Sequence, residues 1–169
     1  VQDRGQAGGR ASPVNMTVQS FTKNGQSVTS NVLATGIFDV THEFEPAVGS
    51  PHIYRIGVTI TNVGVQDAPV RHRRVMDWDV EPTAFSEYTT IGHFGNPPGS
   101  LDYSSNDGFQ SPNPMQPPTS ASATGFYVDH GPSDRGAMFD FDFGILAPND
   151  TVTFELFYGA APSEAIALA

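Results

Sequence analysis

Residues 53–62 read Ile-Tyr-Arg-Ile-Gly-Val-Thr-Ile-Thr-Asn. Tyr54, Ile56, Val58 and Ile60 fall on one side of an extended chain, and Arg55, Gly57, Thr59 and Thr61 on the other. A two-residue alternation rich in β-branched side chains is the pattern of a strand with one face in a core. Working outward, Asn62-Val63-Gly64 ends this strand and 46–51 is a loop before it. Gly36 to Phe44 repeats the alternation, with Phe38, Val40, His42 and Phe44 on one face and Ile37, Asp39, Thr41 and Glu43 on the other. Val14 to Phe21 and Ser27 to Leu33 read as two strands of a hairpin, closed by an Asn-Gly turn within Lys23-Asn24-Gly25-Gln26. At the far end, Phe139, Phe141 and Phe143 alternate with Asp140 and Asp142. Leu146-Ala147-Pro148-Asn149-Asp150 then turns into Val152, Phe154, Leu156 and Tyr158, which predicts a second hairpin.

The chain concentrates its charge in Val70 to Ile91, VRHRRVMDWDVEPTAFSEYTTI, with three arginines, the only tryptophan and four acids. Taken as a strand, it puts Val70, His72, Arg74, Met76, Trp78 and Val80 on one face, and Arg71, Arg73, Val75, Asp77 and Asp79 on the other. Both faces are mixed, so neither is a plain core face. A guanidinium can hold a carboxylate of a neighbouring strand bidentately and so fix register. Arg71, Arg73, Arg74, Asp77, Trp78, Asp79 and Glu81 are therefore expected to form a structural network. On that reading, Arg74→Ala or Asp77→Asn lowers thermal stability.

The 169 residues suit one domain with a sizeable core. Eighteen acids against eight bases give a net charge of -10, which repels nucleic acid and anionic membranes. Neither nucleic-acid binding nor membrane insertion is expected, and no run approaches a membrane span. Lys23 is the only lysine, Gly and Pro number 17 and 14, and cysteine is absent, which excludes disulfides and cysteine-based zinc sites. The composition is that of a secreted β protein with long loops. Residues 1–13 read as an extended lead-in that pairs either with its own domain or with a neighbouring copy, residues 14–161 as the β domain, and 162–169 as the start of a truncated helix. Residues 92–118 form a long irregular stretch rich in Pro and Gly, too long for an ordinary connection.

No G-x-S-x-G elbow is present, so serine hydrolase chemistry is not expected. Asp77, Asp79, Glu81, Glu87, Asp140 and Asp142 supply carboxylates for a glycosidase pair, but an acidic chain always offers some such pair. For calcium, the candidates are Asp102, Asn106 and Asp107, or Asp77, Asp79, Asp140 and Asp142, with Asp134 also available. Asp102 to Gly108 departs from the spacing of a helix-loop-helix calcium site, and an Asx-turn is the favoured reading there. The histidines at 42, 52, 72, 93 and 130 are scattered, and His42 reads as a buried, hydrogen-bonded residue. Trp78 and Tyr88 serve either as core or as a sugar-stacking platform.

The run Arg73-Arg74-Val75-Met76-Asp77-Trp78-Asp79-Val80-Glu81-Pro82-Thr83-Ala84-Phe85, with Glu87-Tyr88 and Ile91, resembles a signature of secreted bacterial proteins that look like surface proteins with a C-terminal sorting signal. The likeness continues through Asp107-Gly108-Phe109, Gly131-Pro132 and Phe139-Asp140-Phe141 to Phe157-Tyr158-Gly159. The strand and turn at 58–64 are also similar to segments of immunoglobulin-like modules of bacterial surface proteins. These resemblances imply a β-rich fold and an extracellular address, but no reaction and no catalytic residue.

The expected architecture is an all-β antiparallel sandwich, jelly-roll or immunoglobulin-like, of eight to ten strands, with a partly closed barrel second. The leading expectation for function is a non-enzymatic extracellular structural or adhesive domain. It would form a homo-oligomer, filament or surface layer by strand addition. A calcium-dependent glycan-binding module and a fragment of a carbohydrate-active enzyme are the alternatives. No cofactor other than calcium is implied.

Overall fold

A computed structural model describes residues 15–92, 99–118 and 127–167. The expected lead-in at 1–13 and His93 lie outside these. Ten strands follow one another: β1 (Met16–Asn24), β2 (Ser27–Ala34), β3 (Phe38–Pro46), β4 (Ile53–Asn62), β5 (Ala68–Asp77), β6 (Glu87–Ile91), β7 (Leu101–Ser105), β8 (Tyr127–Ser133), β9 (Gly136–Leu146) and β10 (Thr151–Gly159). One turn of helix, α1 (Glu164–Ala167), comes last. The protein is all-β with antiparallel sheets, consistent with the β-sandwich class. The described chain divides into two compact units, one of residues 15–69 and 145–167 and the other of residues 70–92, 99–118 and 127–144.

The first unit holds a five-stranded sheet in the order β1-β2-β3-β4-β10. Its two faces follow from the alternation. One register row runs Val18, Val32, Val40, Ile60, Val152, and the next on the same face starts at Phe21 and passes through His42, Val58 and Phe154. Between them lies the row Ser20, Asn31, Thr41, Thr59, Thr153 on the opposite face. Val40, Ile56, Val58 and Ile60 are 0–1% exposed, and burial of each side chain contributes about 1.5–3 kcal/mol. On the polar face Asn31 Nδ2 donates to Asp39 Oδ1 at 2.7 Å and to Thr41 Oγ1 at 2.8 Å, and Thr61 and Thr151 hydroxyls meet at 2.9 Å.

The first hairpin turns one residue later than an Asn-Gly pair would. Asn24 pairs with Ser27, so the turn residues are Gly25 and Gln26, with Gly25 at φ +59° in the first turn position. Glycine there takes the left-handed conformation that a primed turn needs. The terminal hairpin is a correction. β9 and β10 are consecutive strands but join different sheets, β9 between β5 and β7 and β10 beside β4. Alternation identifies a strand and its buried side; it carries no information about which strand lies next to it.

The second unit contains the sheet β5-β9-β7 and the pair β6-β8. Its core includes Val70, Tyr103, Met138 and Phe141. The stretch expected to be irregular over 92–118 contains β7, in which Tyr103, Ser104 and Ser105 are buried. Short serine-bearing strands have no alternation to announce them. The charged strand is also shorter than its pattern predicts. It stops at Asp77, leaving Trp78 and Val80 beyond it, although the Trp78 N–H still donates to the Arg135 carbonyl at 3.1 Å. Pro82 follows within a tight reversal in which Thr83 N–H donates to Val80 O and Ser86 N–H to Thr83 O.

Candidate functional site

Alternation in β5 breaks where His72 and Arg73 are both buried, at 1% and 2% exposure. A buried guanidinium is tolerated when its donors are all satisfied and its charge is matched. Arg73 meets both conditions. Nε donates to Asp140 Oδ1 at 2.5 Å and Nη2 to Oδ2 at 2.6 Å, a fork-to-carboxylate pair across adjacent strands β5 and β9. Nη1 donates to the carbonyls of Ser111 at 2.7 Å and Asn113 at 3.1 Å, and Nη2 to that of Gln116 at 2.9 Å. These contacts use all five donors of the group.

The loop needs this cation for a reason written in its sequence. Ser111 to Pro118 reads SPNPMQPP, so four of eight residues are prolines without an N–H. Such a segment cannot donate into a ladder, and its carbonyls need donors from elsewhere. Arg73 supplies three of them. Within the loop, Asn113 Oδ1 accepts from Met115 N–H at 3.0 Å, and Gln116 N–H donates to Asn113 O at 3.0 Å.

The other predicted network residues do not share this centre. Arg71 pairs with Asp142 through Nη2 at 2.7 Å and Nε at 3.1 Å, with Asp102 at 3.7 Å, but these side chains are 40–56% exposed. Such pairs contribute about 0–1 kcal/mol. The Asp142 carboxyl is held below its usual range, first by the Gly144 N–H and then by Arg71. Arg74 is half-buried, and its Nε is buried without a hydrogen-bond partner among the described residues. Asp79 and Glu81 are exposed, and Trp78 is half-buried.

Asp77 differs most from expectation. Its carboxyl is pushed up by desolvation and then by three like charges, Asp79, Asp134 and Glu87. A carboxyl whose folded pKa lies above the unfolded one binds protons more tightly in the folded state. Its contribution is most favourable below the unfolded value and is lost as pH rises through the folded value. Asp77→Asn is therefore expected to raise the melting temperature at neutral pH, with the gain shrinking toward pH 4, the reverse of the loss expected from sequence. Thermal melts of both proteins between pH 4 and 8 check this, and a lower melting point for the variant at pH 7 contradicts it.

The calcium candidates are dispersed. Asp140 and Asp142 are occupied by arginines. Asp107 accepts from Phe109 N–H at 3.0 Å and from the Gln110 side-chain amide, which makes the Asx-turn favoured on sequence. Gly108 has a different task from a calcium-loop glycine, since a Cβ there would stand 2.3 Å from the Met76 carbonyl oxygen. Asn106, 6% exposed, meets Nδ1 of His130 through its side-chain amide. Among the described residues, no group of three or more His, Asp or Glu side chains gathers to hold a metal. Tyr88 is 60% exposed. Sequence reasoning missed Glu87 as a buried group. It is 5% exposed, with Oε1 accepting the Phe85 N–H at 2.8 Å and Oε2 without a partner among the described residues.

The other feature with functional content lies in the first unit, at the outer strand of its sheet. β1 has eight of nine residues exposed, including Val18 and Phe21 at 67% each. It stands at the end of the strand order, with one edge unpaired among the described residues. Residues 15–34 contain no acid and only Lys23 as a base. Edge strands are normally blunted by charge, proline or brevity; β1 is nine residues long, has no proline and carries one charge.

The chain matches no protein-family model, no curated protein and no solved structure. No helix among the described residues is long and apolar enough to cross a membrane.

Proposed function

We propose that the protein is a non-enzymatic, extracellular structural or adhesive domain that works by associating with further copies of itself through strand addition. The observation that carries this reading is the β1 edge, unpaired among the described residues, where a row of backbone donors and acceptors is accompanied by two exposed apolar side chains. The polar centre supports it indirectly. The Arg73 group is filled by its own carboxylate and loop carbonyls, so it braces the second unit and offers no donor to a substrate. The likeness to secreted bacterial surface proteins favours the extracellular address.

The test is light scattering of the full chain over a wide concentration range. Self-association is expected, and the double variant Val18→Lys, Phe21→Lys is expected to remain monomeric at an unchanged melting temperature, because both side chains are already in solvent. A wild-type protein that stays monomeric at every concentration refutes the proposal.

A further inference from the structure

We propose that the strand received by β1 is β1 of a second copy, paired antiparallel about a two-fold axis normal to the sheet. This rests on the self-association reading and specifies its geometry. Every neighbouring pair in the order β1-β2-β3-β4-β10 is antiparallel, so β1 and β10 run in the same direction. Two edges can continue a sheet only if their apolar faces lie on the same side. Under that condition, β1 of one copy meets β10 of the next in parallel, the less stable ladder. Antiparallel pairing of those two edges would set apolar against polar faces.

A two-fold axis normal to the sheet reverses strand direction and preserves the face. It therefore joins like edges, β1 to β1 or β10 to β10, antiparallel and face-matched. Charge separates these two. Glu155 is the middle residue of β10, so full overlap of two β10 strands sets it opposite its own copy. Like charges directly opposite are destabilising. The register of β1 skips Gln19, so face-matched overlap sets Val18 opposite Phe21 and Lys23 opposite Met16, leaves Ser20 one residue from its own copy, and separates the two lysines by roughly 23 Å.

Long-range repulsion points the same way. Two copies, each with net charge -10, approach most easily through the stretch that has no acid, residues 15–34. Val18 and Phe21 end the apolar register rows of their own sheet. In the two-fold arrangement those rows run on into the second copy's rows, giving a continuous sheet of ten strands.

Cysteine cross-linking tests the arrangement, since the chain has no cysteine of its own. Ser20→Cys, Thr22→Cys and Thr153→Cys are made singly in the full chain and oxidised at a concentration where wild type associates. The expected result is a disulfide-linked product of twice 18.1 kDa from Ser20→Cys alone, with none from Thr22→Cys alone, whose copies stand about 17 Å apart along the strands, and none from Thr153→Cys alone. A mixture of Ser20→Cys with Thr153→Cys is expected to give no cross between the two variants. Such a cross, or light-scattering particles that grow past the dimer, overturns the two-fold arrangement and leaves self-association standing. Wild type that never associates removes both.

Discussion

Arg73→Ala is expected to lower the unfolding free energy by about 3–5 kcal/mol, because it leaves the Asp140 carboxylate and three loop carbonyls without their donors in a buried site. At roughly 2–4 °C per kcal/mol for a chain of this size, the melting temperature falls by about 10 °C. Arg73→Lys is expected to recover little of this. An ammonium keeps the charge but has three donors and no planar fork, so the bidentate pair and the carbonyl contacts cannot coexist. Arg71→Ala is the control, with an expected cost under about 1 kcal/mol, since its pair with Asp142 lies in solvent. Urea unfolding followed by the fluorescence of Trp78 measures all three. A cost for Arg73→Ala no greater than that for Arg71→Ala would mean that the buried cation braces nothing.

The same centre shows what the sequence could and could not disclose. That an arginine in Val70–Ile91 would brace a sheet was legible from the mixture of charge and alternation. Which arginine, and against which acid, was not, because Asp140 lies 67 residues further along and only the pairing of β5 with β9 brings it into reach. Asp77 and Asp79 were natural partners by proximity in sequence, yet Asp77 stands among other acids. The bounds of β4 are legible to the residue, since its ends are marked by turn residues, although Tyr54, on the side expected to face the core, is 37% exposed, and Gly57, on the other side, is buried. β7 was lost inside a Pro- and Gly-rich stretch because Leu-Asp-Tyr-Ser-Ser has too few residues to establish a period. The β1 edge, unpaired among the described residues, is only half visible in the sequence. Strand and hairpin were apparent, but the exposure of Val18 and Phe21 depends on strand order, which local pattern does not encode.

Asn62 is the position where a one-atom change should matter most in the first unit. It ended a strand in the sequence reading, yet its side chain is 0% exposed and fully bonded. Nδ2 donates to the carbonyls of Gln66 and Leu146, both at 2.9 Å, and Oδ1 accepts the Gly64 N–H at 2.9 Å. Its own N–H and carbonyl meet Asp150 and Asn149. One amide thus ties the end of β4 to the turn after it and to the segment returning into β10. Asn62→Ala is expected to cost about 2–4 kcal/mol, since unsatisfied buried groups cost about 1–3 kcal/mol each and some will find water. Asn62→Asp should be worse at neutral pH, because a carboxylate would face two carbonyl oxygens with no donor between them. Burial and those oxygens would raise its folded pKa above the unfolded value of about 3.9, so its penalty is smallest in acid and grows as pH rises through the folded value. Urea titrations at pH 4 and pH 7 should show the Asp variant falling below the Ala variant only at the higher pH. If both variants lose the same amount at both pH values, the amide is not the tie that its three contacts describe.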